Sequence, residues 1–191
     1  MAVVELSEWI GDDVASLRQR VESGFISVVP SDRWREQVDG GGIAPIYVLW
    51  HTARHHDVAI NGVLRRRAPV LDDWMERVGI SSDTWRGLAE GQDQELVDQL
   101  DPDMVGQYFV AVLDESLAWL AGHPPLDPRS VPEAHVALAE IQVPVDRFSW
   151  LYNMWADKPT QFFLSWEAVG HGFNHLGELT SIRNRMGLSP F

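Results

Sequence analysis

The run from Pro45 to Arg67 constrains the fold more than any other, because it is apolar on nearly every side. At helical pitch one face carries Tyr47, Val48, His51, His55 and Val58, and the opposite face carries Ile46, Leu49, Ala53, Ile60 and Leu64. Such a helix has to be covered all round, which places it at the centre of a fold or at a subunit contact. Pro45 suits a first helical turn, where a missing N–H goes unneeded, and Pro69 marks the end. The triplet Arg65, Arg66, Arg67 then falls at the negative end of the helix dipole, which accounts for this basic cluster without a polyanionic ligand.

Helical periodicity recurs on both sides of that run. Leu6, Ile10, Val14, Leu17 and Val21 form a stripe over Glu5 to Glu22, with Gly24 as the expected stop. Phe25 to Gly42 reads as a connector. Residues 68 to 100 carry Pro69, Gly79, Ser81, Ser82, Gly87 and Gly91, too many breakers for one helix. They predict an ordered excursion over one end of the core, with short pieces at Leu71 to Val78 and Gln94 to Leu100 and with Trp74 and Trp85 as anchors. Asp101 and Pro102 pair as cap and first residue of a third helix that runs to Ala121. A helical piece follows Pro132 and another spans Val145 to Trp155. A turn at Asp157, Lys158 and Pro159 leads into the last helix, which Gly187 caps. No stretch alternates with strand period. The expectation is one all-α domain over residues 1–191, a four-helix bundle with additional short helices in its connections.

With 28 acidic against 15 basic residues the formal net charge is -13, which opposes nucleic acid and anionic lipid. No apolar run is long enough for a membrane span, and no secretory pattern leads the chain. These features predict a cytoplasmic protein whose partner is a small molecule, with no nucleic acid and no membrane. Cysteine is absent, so any metal rests on imidazole and carboxylate.

Such ligands gather near the C-terminus. His171 and His175 stand one helical turn apart, and Glu178 and Ile182 continue their line. Gly170, Gly172 and Gly177 crowd the same segment and allow a close approach or an open pocket. If the second and last helices lie side by side, His51 meets this pair. His55 sits one turn along the same face as His51, and His56 falls on the other side. The same spacing also arises by chance, and a buried histidine commonly serves only as a hydrogen-bonding core residue.

Together these residues resemble the signature of the DinB-like superfamily, a histidine in the second helix and a His-x-x-x-His-x-Gly-Gln/Glu run in the fourth. Here Val48, Leu49, Trp50, His51 stand for the first, and His171, Gly172, Phe173, Asn174, His175, Leu176, Gly177, Glu178 for the second. The superfamily includes transferases that use mycothiol or bacillithiol and the mycothiol-dependent maleylpyruvate isomerase. The resemblance follows the helix order of the whole chain. It implies a metal-binding bundle, often a homodimer, with His51, His171 and His175 as the ligands. Leu176 stands where many members have arginine, and Glu178 where many have glutamine.

Three neutral imidazoles leave coordination positions open, the pattern of catalytic sites; zinc or nickel suits such a set first, and iron or cobalt fits as well. An open position lowers the pKa of a water or holds a low-molecular-weight thiol as thiolate, so thiol S-transfer or hydrolysis needs no protein cysteine. Glu178 can fix a ligand ring's tautomer or act as general base, or else pair with Arg54. His55 is a candidate acid or base, or a satisfied core histidine. Tyr47, Trp50 and Trp166 can line a pocket or simply pack. Two readings stand beside the enzyme: a stress-related bundle that binds metal or ligand without turnover, and a metal-free structural or interaction protein.

Overall fold

A computed structural model describes residues 5–81 and 83–190; Ser82, one of the expected breakers, lies outside them. The described residues are helices and connections, with no strand among them. The helices are α1 (Leu6–Val21), α2 (Pro45–His56), α3 (Met75–Val78), α4 (Gln94–Gln99), α5 (Pro102–Ala121), α6 (Ala134–Glu140), α7 (Val145–Trp155), α8 (Thr160–Phe162) and α9 (His171–Arg185). Three rods are longer than these bounds, α1 by the π turn Glu22–Ile26. Without a break, α2 winds on in wider π register through Asp57–Leu64, and α8 joins α9 through a second π stretch, Phe163–Gly170. α1 packs on α5, α5 on α2, α2 on α9 and α9 back on α1, so these four rods surround a common core.

Every residue of α2 is buried within the chain, so of the two placements its composition allowed, the central one holds. The stripe of α1 is buried at Ile10, Val14, Leu17 and Val21. Gly24, however, does not stop the chain's winding. A π turn over Glu22–Ile26 carries it onward, and the freed Gly24 carbonyl accepts a 2.6 Å hydrogen bond from Arg183 of α9. Asp101 caps α5 as expected, its carboxylate accepting from Met104 N at 3.0 Å, and Gly187 at φ 78° closes the end of α9.

One buried carboxylate ties the excursion after α2 to the core. Asp57 Oδ2 accepts from Tyr108 Oη at 2.7 Å, Leu71 N at 3.1 Å and Arg54 Nη1 at 3.2 Å. Its Oδ1 accepts from Asn61 and from Val70 N, both at 2.8 Å. Five donors satisfy a charge that is otherwise costly to bury. Arg54 also lies 5.4 Å from the Trp85 ring, and Trp74 packs 6.2 Å from Tyr108, so both expected anchors touch the core. Arg65 and Arg66 pair with Glu115 and Glu140, so these two cations of the basic triplet have acidic partners within the chain. No helix among the described residues is long and apolar enough to cross a membrane.

Candidate metal centre

Because α2 and α9 pack side by side, His51 meets His171 and His175. Ring centroids lie 5.1 Å and 5.0 Å from His51, and 4.5 Å apart within the pair. All three residues are at most 6% exposed. On the α1 side, a Cβ at Gly172 would overlap Leu17 Cδ2, so glycine there lets α9 pack close against α1.

Hydrogen bonds orient the rings. A carbonyl can only accept, so the 2.8 Å contact of His51 Nδ1 with Gly87 O puts the proton on Nδ1 and leaves Nε2 with its lone pair. His51 Nε2 is buried and has no hydrogen-bond partner. His175 Nδ1 lies 3.0 Å from Glu178 Oε2 and donates to that carboxylate, so its Nε2 keeps a lone pair and faces His171 Nε2 at 3.1 Å, while His171 Nδ1 is buried without a partner. Donors on a tetrahedral zinc with bonds of about 2.0–2.1 Å stand roughly 3.3 Å apart, close to that separation. A buried nitrogen without a partner and two rings fixed by a carbonyl and a carboxylate are what an imidazole-bound cation requires. Burial holds His51 down to about 3, with the nearby His55 adding to the effect. Burial, then His55, His175 and His51, hold His171 down to about 2. Both rings are therefore neutral at physiological pH, the form that ligates.

Two acidic residues not anticipated from the sequence join this cluster. Glu90 Oε1, on the loop between α3 and α4, stands 3.7 Å from His51 Nε2, and one donor atom from each of His51, Glu90, His171 and His175 lies within 4.8 Å of the others. Glu167, four residues ahead of His171, is fully buried and forms a second grouping with His55 and His171. Its Oε1 accepts from Trp155 Nε1 at 2.8 Å, and its Oε2 lies 3.4 Å from His55 Nδ1. The spacing Glu-x-x-x-His-x-x-x-His was a signal for Glu167; Glu90 had none, because only loop packing brings it near.

The remaining candidates divide. His55 donates from Nε2 to Leu88 O at 2.7 Å and sits 4.6 Å from His51 and 4.7 Å from His171. Glu178 is on His175, not on Arg54, which belongs to Asp57. Tyr47 stacks on His51 at 6.2 Å and donates to Ala89 O at 2.9 Å. Trp50 is wholly buried against Tyr108 and donates to Arg86 O at 2.9 Å, so it secures the loop from beneath. Trp166, half-exposed, lies 6.2 Å from His171 at the rim, with Trp150 at the same distance from His55. His56 is apart, buried and 2.8 Å from Ser116 Oγ on α5.

Comparison with protein families gives no match, and none of the curated proteins compared is similar. Among solved structures, the crystal structure of a conserved protein of a locus from Enterococcus faecalis matches with a TM-score of 0.67 at 13% identity, covering 97% of this chain and 99% of that one. At that identity the likeness extends to the fold alone.

Proposed function

We propose that this chain is a DinB-like four-helix bundle in which His51, His171 and His175 hold a divalent ion, zinc or nickel before iron or cobalt. We further propose that it acts on a small molecule by thiol S-transfer or hydrolysis. A homodimer in the cytoplasm belongs to the same reading, carried by the sequence resemblance. One observation supports the centre above others: ring nitrogens from two helices converge while Gly87 O and Glu178 hold the far nitrogens of His51 and His175. When bound, the ion supplies an open position at which a water or a low-molecular-weight thiol loses its proton near neutral pH. Glu178 keeps the proton of His175 on Nδ1, and so keeps the ligating nitrogen free. His55 Nδ1, left unprotonated because Nε2 donates to Leu88 O, can take up a proton released at the reacting group, and Glu167 Oε2 at 3.4 Å then stabilises the imidazolium. Trp150 and Trp166 at the rim limit water.

Metal analysis of untagged protein tests the centre. About one equivalent per chain is expected, lost in His171→Ala, whereas metal-free wild type sinks the proposal. The loaded protein is then assayed with mycothiol, bacillithiol and glutathione against monochlorobimane. Metal without turnover on this or a hydrolytic panel leaves a non-catalytic binding bundle.

A further inference from the structure

The loop that carries Glu90 is strapped to α2 by its own backbone. Four consecutive carbonyls, Arg86, Gly87, Leu88 and Ala89, accept hydrogen bonds from Trp50, His51, His55 and Tyr47 at 2.7–2.9 Å. Gln92 adds a fifth tie at 2.6 Å from Ala44 N, and the Arg86–Asp93 ion pair closes the loop's base. Gly87 at φ 85° makes the strap possible, since a Cβ there would overlap the Trp50 indole. The next side chain after the last of those carbonyls is Glu90. Its backbone is tied on both sides, yet its side chain is 80% exposed, and its Oε1 points toward the bare, buried Nε2 of His51 at 3.7 Å. No hydrogen bond accounts for that approach, because His51 Nε2 carries no proton to donate. A lone pair and a carboxylate oxygen facing one another repel unless something electropositive stands between them, and a cation held by the three imidazoles fits that place.

We infer that Glu90 is a fourth, displaceable donor that closes the metal centre at rest, and that an incoming ligand enters by displacing it. This rests on the metal-centre reading above. The strap lets the side chain swing off while the loop stays in place, so exchange needs a rotamer change of one exposed residue and no opening of the fold. A carboxylate is a weaker partner for zinc-like ions than a soft thiolate, so the gate admits a thiolate more readily than a neutral or hard ligand. The consequence is selectivity at the step of entry.

The test is cobalt(II) titration of the untagged, metal-free chain and of Glu90→Ala and Glu90→Gln, followed by 2-mercaptoethanol titration of the cobalt forms. The visible absorption of cobalt(II) reports its donor set, and circular dichroism checks that the variants fold. Wild type should show a four-coordinate spectrum. Both variants should show a changed spectrum, at least about tenfold weaker cobalt binding and tighter thiol binding. Identical cobalt spectra and affinities in wild type and Glu90→Ala overturn the role of Glu90 while leaving the three-histidine centre standing. No cobalt binding by wild type, or binding unchanged in His171→Ala, overturns the centre itself and Glu90 with it.

Discussion

Acidifying the metal-free protein should unfold it through its buried imidazoles. Burial lowers His51 to about 3, His171 to about 2 and His56 to about 4, each from the usual 6.5. The unfolded chain therefore binds protons that the folded chain refuses, and stability present above about pH 6.5 drains away as pH falls toward those lowered values. At pH 5 each ring has fallen about 1.5 units into that window, which at roughly 1.36 kcal/mol per unit is about 2 kcal/mol. Three rings give about 6 kcal/mol, comparable with the whole stability of many domains at about 5–15 kcal/mol. Urea unfolding followed by tryptophan fluorescence, with chelator present, measures this at about pH 7.5 and pH 5, a range in which ordinary carboxylates stay ionised. His56→Gln, which keeps a partner for Ser116, should remove about 2 kcal/mol of the difference. Equal stability at both pH values, within about 1 kcal/mol, would show that burial does not hold these rings neutral.

Three further outcomes follow from the packing. Asp57→Ala leaves Arg54 buried without its carboxylate and should cost about 3–5 kcal/mol in chemical denaturation; a loss below about 1 kcal/mol contradicts the role given to Asp57. Gly172→Ala forces α9 off Leu17 and should cost roughly 1–3 kcal/mol while weakening metal binding, and unchanged melting and affinity would argue that the two helices have room to spare. Adding zinc or nickel to chelated protein at about 100 times Kd should stabilise it by about 2.7 kcal/mol, a shift in melting temperature that His175→Ala abolishes.

Of the site, the sequence displays what depends on helical spacing and hides what depends on loops. His171 and His175 are one turn apart in any helix, and the all-round apolar character of the second helix forces it to the centre, where His51 meets them. Glu90 lies 39 positions from His51 in a segment that reads only as breakers, and it is placed by carbonyl contacts that no side-chain pattern encodes. Asp57 is a charge inside an apolar run, and only Arg54 and Asn61 of its five donors lie within helical reach; the other three come from α5 and from residues 70 and 71. Gly24 misleads because a glycine in a helical phase reads as a stop, whereas here Arg183 takes up its carbonyl and the winding continues.

The π stretch ahead of α9 has a further consequence for engineering. Each π turn holds one residue more than an α turn, so Phe163–Gly170 sets the azimuth at which the whole segment after it emerges. Removing a single residue there, with both histidines retained, would rotate the pair by about 100° and aim it away from its partner on α2. A transplanted copy of the eight-residue signature would inherit the letters without the heading, and grafts should begin no later than Phe163.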